Sequence, residues 1–123
     1  MIAVDTSAFA RYLDGMTDRA AMAASDVLDR DVAILPPVAL TELLSNPNLS
    51  LSTIEFISSV PVLQVHDGYW RRAATLRADL LRRRLRAKLA DCLIAQSCID
   101  HDIPLITYDL DFRHFVQAGL KLL

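Results

Sequence analysis

Short apolar runs of β type alternate along this chain with longer stretches of helical period. Ile2–Val4 is apolar and runs into Asp5, which predicts a short strand followed by a helix over Thr6–Leu13. A second helix is expected over Asp18–Arg30, with Thr17 as its cap. Val32–Leu35 reads as a strand stopped by Pro36-Pro37. Proline suits the first turn of the next helix, which ends before Pro47. Ser50 or Ser52 would cap a helix through Ile57, and Val60–Val65 reads as a strand. Asp67 would cap a long helix to about Leu85. A helix over about Leu89–Asp100, a strand over Pro104–Thr107, a short helix over Asp111–Val116 and a strand over Leu120–Leu123 complete the pattern.

Strands that alternate with long helical crossovers imply an α/β fold, with a mainly parallel sheet covered on both faces. In open sheets of this kind, ligands sit beyond the carboxyl ends of the strands. Chain order alone therefore puts Asp5 and Asp109 at the functional edge. No repeat, low-complexity tract or linker interrupts the 123 residues, so one domain over 1–123 is expected.

Composition adds three constraints. Hydrophobic residues make up 53%, enough for a large core with some apolar surface left for a partner. No apolar run reaches the roughly 18 residues of a membrane span, and Met1–Val4 lacks the regions of a signal peptide, so a cytoplasmic protein is expected. Cys92 and Cys98, on one helix, would point roughly 120° apart and serve as buried apolar filler rather than a disulfide.

The net charge of −2 hides a polarised chain. Arg71, Arg72, Arg77, Arg82, Arg83, Arg84, Arg86 and Lys88 face a single acid, Asp79, between residues 71 and 88. Such a segment can attract a polyanion locally whatever the total charge. On one helix Arg82, Arg83 and Arg84 would point in three directions, so they cannot all meet one ligand.

Four segments place a carboxylate beside apolar runs. They are Ile2–Ser7 with Asp5, Val38–Leu44 with Glu42, Leu89–Ala95 with Asp91, and Leu105–Phe112 with Asp109 and Asp111. Acids in such settings are costly unless paired, hydrogen-bonded or bound to a cation. At about 100° per residue, Asp91 points away from Gln96, Ser97 and Asp100 and towards the core side of its helix. Each acid has an ordinary alternative. Asp5 and Asp91 suit a helix start, Glu42 a solvated face, and Asp109-Leu110-Asp111 turn chemistry with a cap. Together they suggest one Mg2+ or Mn2+ site, because these hard cations take carboxylate and water oxygens. Such ions assist in-line hydrolysis of a phosphodiester. His66, His101 and His114 look scattered, and no Ser-His-Asp arrangement is evident.

These stretches resemble those of PIN-domain ribonucleases, and within them the VapC-like toxins of VapBC toxin–antitoxin pairs. The likeness rests on Val4-Asp5-Thr6-Ser7-Ala8, Leu40-Thr41-Glu42-Leu43-Leu44-Ser45, Ala90-Asp91-Cys92-Leu93-Ile94-Ala95 and Leu105-Ile106-Thr107-Tyr108-Asp109-Leu110-Asp111-Phe112, in that order. The resemblance implies a three-layer α/β/α fold and Mg2+- or Mn2+-dependent endoribonuclease activity. It carries metal ligation onto Asp5, Glu42, Asp91 and Asp109, with Asp111 accessory, and an orienting role onto Ser7 and Thr107. A cognate VapB-like antitoxin and a homodimer are further implications. Many relatives carry a glycine before the third acid, whereas Leu81–Lys88 has none, so a tighter or more continuously helical connection is expected there.

With RNA as substrate, Arg82, Arg83, Arg86 and Lys88 are candidate phosphate contacts. Contact with an acidic antitoxin tail and plain solvation are the alternatives. Trp70, Tyr12, Phe9 and Phe56 are candidates for stacking on bases, with packing as the commoner fate. The apolar helices at residues 19–28 and 38–57 are expected to form a groove for an antitoxin helix. A PIN-fold RNA-processing nuclease without a toxin role, or a non-catalytic RNA- or protein-binding module, are the competing functions. A haloacid-dehalogenase-type phosphotransferase fits poorly, because Ser7 stands where its second Asp is needed.

Overall fold

The computed structural model describes residues 1–123. Its elements are β1 (Ile2–Val4), α1 (Thr6–Leu13), α2 (Arg19–Asp29), β2 (Ala33–Ile34), α3 (Pro37–Leu44), α4 (Leu51–Ser59), α5 (Tyr69–Arg82), α6 (Leu89–His101), β3 (Pro104–Ile106), a 3-10 helix (Leu110–Ala118) and β4 (Lys121–Leu122). The four strands form one sheet in the order β2-β1-β3-β4, and every pair is parallel. Helices flank the sheet, as the α/β reading predicts.

The strand order has a consequence for function. From β1 the chain crosses to β2 on one side, then to β3 on the other. The topological switch point therefore lies between β1 and β3, where open α/β sheets bind ligands. Ala3 pairs with Leu105 and Val4 with Ile106, and the ladder continues one step to Asp5 N–H on the Ile106 carbonyl at 3.0 Å. Asp5 leaves β1 and Asp109 leaves β3 at this edge.

The helix starts follow local chemistry. Asp5 caps α1 through Ala8 N–H, Pro37 opens α3, and Ser50 caps α4 through Thr53 N–H. The α2 cap is Asp18 rather than Thr17, because the Asp18 carboxylate accepts Ala21 N–H at 3.1 Å. Asp67 does not cap α5. Gly68, at φ 82°, turns the chain into that helix without a side-chain cap.

Val60–Val65 is not a full strand. It makes a single parallel bridge, Leu35 with Val62. Pro61 has no N–H to extend the ladder, and only its carbonyl and Leu63 N–H reach Leu35. The connection after α5 is not continuously helical either. Arg84 takes φ 59°, and Leu85 N–H closes on the Leu80 carbonyl at 3.0 Å while Arg84 N–H closes on Leu81. This is the Schellman ending usually given to glycine, here carried by arginine.

Val4, Phe9, Leu35, Ile57, Leu80, Ile94, Leu105, Phe112 and Phe115 lie in one buried cluster that joins the sheet to the helices. Cys92 and Cys98 are free and buried within it, as expected of apolar filler. Helix α6 is covered nearly all round. Gln96 and Ser97, expected on a polar face, are buried. Gln96 donates to Asp100, and Ser97 donates to the Leu93 carbonyl. No helix is long and apolar enough to cross a membrane.

Candidate active site

Asp5 is the most constrained acid in the chain. It is 3% exposed, at the end of β1. Its Oδ1 accepts Ser7 Oγ–H at 2.7 Å and Ala8 N–H at 3.0 Å, and its Oδ2 accepts Thr107 Oγ1–H at 2.8 Å. Burial raises its pKa, and these three donors oppose the rise. Both hydroxyls spend their only proton on Asp5, then accept from backbone. Ser7 Oγ takes Tyr108 N–H at 3.0 Å, and Thr107 Oγ1 takes Asp109 N–H at 3.0 Å. Residues about a hundred positions apart in sequence are thereby fixed around one carboxylate.

Asp91 lies in the first turn of α6, partly buried. Burial, then Asp109, then Asp5 and Glu42 raise its pKa to about 6, while Lys88 opposes them. No hydrogen bond contributes to that balance. The acids of the other three segments are thus within electrostatic reach of Asp91. Glu42, exposed on α3, accepts Thr6 Oγ1–H at 2.6 Å, which ties α3 to the start of α1.

Asp109 is the N-cap of the 3-10 helix, its Oδ1 accepting Asp111 N–H at 2.9 Å. The cap expected within Asp109-Leu110-Asp111 therefore belongs to Asp109. Asp111 instead leans to Arg86, with Nη1 to Oδ2 at 3.8 Å. Arg86 and Lys88 are the basic side chains brought beside the acids. Arg83 is held by Gln117 at 2.8 Å, and Arg82 is exposed at the end of α5.

Glu42 borders one opening, and Asp109 and Asp111 border another. The first, of about 180 Å³, is lined by residues including Thr6, Glu42 and Asn46. The other, of about 690 Å³, is lined by Arg86, Tyr108, Asp109, Leu110 and Asp111. No three histidine, cysteine or acidic side chains converge tightly enough to enclose a metal ion. The donor set is all oxygen and, apart from the buried Asp5, partly open to solvent, which suits a cation that keeps several waters and takes one or two carboxylates, as Mg2+ does.

Residues 2–117 match the sequence model of the PIN domain. The chain belongs to the PIN domain family. This PIN domain is similar in structure to VapBC2 from Rickettsia felis, solved bound to a DNA fragment from its promoter. The TM-score is 0.75 and the identity 18%, over 100% of this chain and 98% of the other. FitAcB from Neisseria gonorrhoeae gives a TM-score of 0.71 at 18% identity, over 99% and 96%. VapBC-5 from Mycobacterium tuberculosis, a member of the VapBC family of toxin–antitoxin systems, gives 0.68 at 22%, over 99% and 98%. At these identities the likeness establishes the fold. No curated protein matches the chain.

Two relationships escaped the sequence. His66 and His101, which looked scattered, stack with ring centroids 4.1 Å apart. Tyr108, absent from the aromatic candidates, stands 51% exposed beside Asp109. Its position between Thr107 and Asp109 was the available clue. Of the candidates considered, Phe9 is buried, and Tyr12 and Phe56 pack with it, with ring centroids 6.1–6.2 Å apart.

Proposed function

We propose that this PIN domain is a divalent-metal-dependent endoribonuclease that acts as the toxin of a toxin–antitoxin pair. The observation that carries the reading is the grouping of Asp5, Glu42, Asp91 and Asp109 at the switch point, where burial first and then the other three acids raise the pKa of Asp91. Such a group is poorly stable without a cation.

Asp5, Asp91 and Asp109, with Glu42, would hold Mg2+ or Mn2+, and Asp111 would assist from the Arg86 side. A bound ion of this type supplies charge for a phosphate oxygen and lowers the pKa of a water. The chain's own part is to orient and to balance charge. Ser7 and Thr107 hold the Asp5 carboxylate in one geometry. Asp91 keeps lone pairs open to water. Lys88 and Arg86 offset the repulsion that four acids would impose on an approaching RNA backbone.

The toxin role rests on the similarity to VapBC and FitAcB structures and on exposed apolar surface. Leu51 is 80% exposed, and a cavity of about 410 Å³ beside it is lined by Tyr12, Leu13, Ser52, Thr53 and Phe56. A groove of that character suits an amphipathic antitoxin helix. It lies between α1 and α4, so α2 contributes less than the sequence suggests. A homodimer in the cytoplasm completes the proposal.

Asp5→Asn and Asp91→Asn each abolish RNA cleavage and growth arrest while leaving the circular dichroism spectrum unchanged. Cleavage retained by both purified variants overturns the reading.

A further inference from the structure

Tyr108 has four properties that packing does not require. It sits in the loop between β3 and the 3-10 helix, next to Asp109. Its backbone N–H is held by Ser7 Oγ, the same hydroxyl that donates to Asp5. The Arg11 guanidinium lies over its ring, 3.8 Å from the centroid. Arg11 is itself fixed by Asp18, with Nε to Oδ2 at 2.8 Å. With Arg11 over one face, 51% of the residue's surface still stays exposed.

An exposed aromatic ring that moves freely must give up that freedom to stack on a ligand. Here two separate ties, one to the backbone and one to the ring, remove that freedom beforehand. A ring held this way loses less entropy on stacking, and the cation on its far side adds to the attraction. The cavity of about 690 Å³ next to it has room for a nucleotide. Arg86 on its wall is 69% exposed and only loosely paired with Asp111, so it is available to a phosphate.

Trp70 is more exposed, at 63%, but it packs edge-on against Tyr69. Tyr69 is anchored to the Leu93 carbonyl rather than to an acid.

Resting on the nuclease reading, we propose that Tyr108 is the stacking platform for an unpaired base of single-stranded RNA, flanking the phosphate presented to the acids, with Arg86 holding the adjoining backbone. Base stacking on an aromatic ring tolerates any base, so this contact selects for unstacked, single-stranded substrate rather than for sequence.

The test uses unstructured RNA oligonucleotides carrying 2-aminopurine at successive positions, with Ca2+ in place of Mg2+ to hold back cleavage. Wild-type protein and Tyr108→Phe quench the fluorescence of one position. Tyr108→Leu loses that quenching and binds about tenfold more weakly. A melting curve unchanged by Tyr108→Leu shows that the fold is intact. Equal quenching and affinity in Tyr108→Leu overturns the platform and leaves the nuclease reading standing. If the wild-type protein neither binds these RNAs in Ca2+ nor cleaves any of them in Mg2+, the nuclease reading fails and the platform with it.

Discussion

Thr107 donates its hydroxyl proton to Asp5 Oδ2 at 2.8 Å, across 102 positions of sequence. Thr107 Oγ1 in turn accepts Asp109 N–H at 3.0 Å, so one hydroxyl serves two of the candidate metal-binding acids. Thr107→Val removes a donor from a buried carboxylate and an acceptor from a backbone N–H. A hydrogen bond to a charged group contributes about 1.5–3 kcal/mol, and misorienting a metal-holding carboxylate costs about 10–100-fold in rate or affinity. The expected outcome is a lower melting temperature and a single-turnover cleavage rate reduced at least tenfold, with Thr107→Ser restoring most of both. A Thr107→Val enzyme that cleaves at the wild-type rate would show that the hydroxyl has no orienting role.

The acids oppose the fold that gathers them. Asp91 rises from 3.8 to about 6 on folding, first through burial and then through Asp109, Asp5 and Glu42. Between those two values the folded protein binds more protons than the unfolded one, so stability falls as pH rises. The destabilisation is absent below 3.8, grows through about 6 and is complete above it. Discounted for solvent access, it amounts to about 1 kcal/mol. In chelator at pH 7.5, Asp91→Asn is expected to melt above the wild type, and the difference vanishes near pH 4. Added Mg2+ raises the wild-type melting temperature and moves Asp91→Asn little. Equal melting temperatures in chelator at pH 7.5 would show that neither burial nor the neighbouring acids penalise the Asp91 charge.

Much of this site was legible because caps and ligands use the same residue types at the same places. Asp5 ends an apolar strand and begins a helix, and both features can be read from the chain. The helical period of α6 assigns Gln96 and Ser97 to a solvent face, but α5 covers them, with Tyr69 and Arg72 reaching across to α6, and Asp91 lies with the other acids all the same. A helix buried nearly all round has no polar side to orient it, and tertiary packing overrode the pattern. Tyr108 was missed for a different reason. An exposed aromatic residue is ordinary in sequence, and only the contacts from Ser7 and Arg11 set it apart.

The glycine-free stretch before Asp91 shows a third kind of illegibility. Nothing about arginine announces a left-handed residue, yet Arg84 takes φ 59° because Leu80 and Leu81 need their carbonyls closed at the end of α5. A non-glycine side chain there costs about 1–2 kcal/mol, partly offset by the greater unfolded-state entropy of glycine. Arg84→Gly is therefore expected to stabilise the protein by up to about 1 kcal/mol, or about 3 °C in melting temperature. Loss of stability would mean that the Arg84 side chain makes a contact worth more than the strain.

Arg72 and Asp100 form the ion pair that locks α5 to α6. Arg72 Nε and Nη2 bind the two carboxylate oxygens at 2.9 and 2.7 Å, and Nη1 binds the Asp67 carbonyl at 2.8 Å. The Asp100 side chain is 8% exposed, and without Arg72 only Gln96 would remain to satisfy it. Leaving a nearly buried carboxylate without its cation is destabilising, and the 43% exposure of the arginine side chain moderates the loss of stability expected for Arg72→Ala. The pH dependence has a definite sign. The Arg72 hydrogen bond and charge hold Asp100 below its ordinary value, so the pair's contribution is full above 3.8 and is lost as pH falls through the folded value. Urea denaturation of wild type and Arg72→Ala should differ most at neutral pH and converge in acid, while the cleavage rate per folded molecule stays at the wild-type level. A difference that persists unchanged to pH 2 would assign the effect to packing of the arginine stem instead of to the pair.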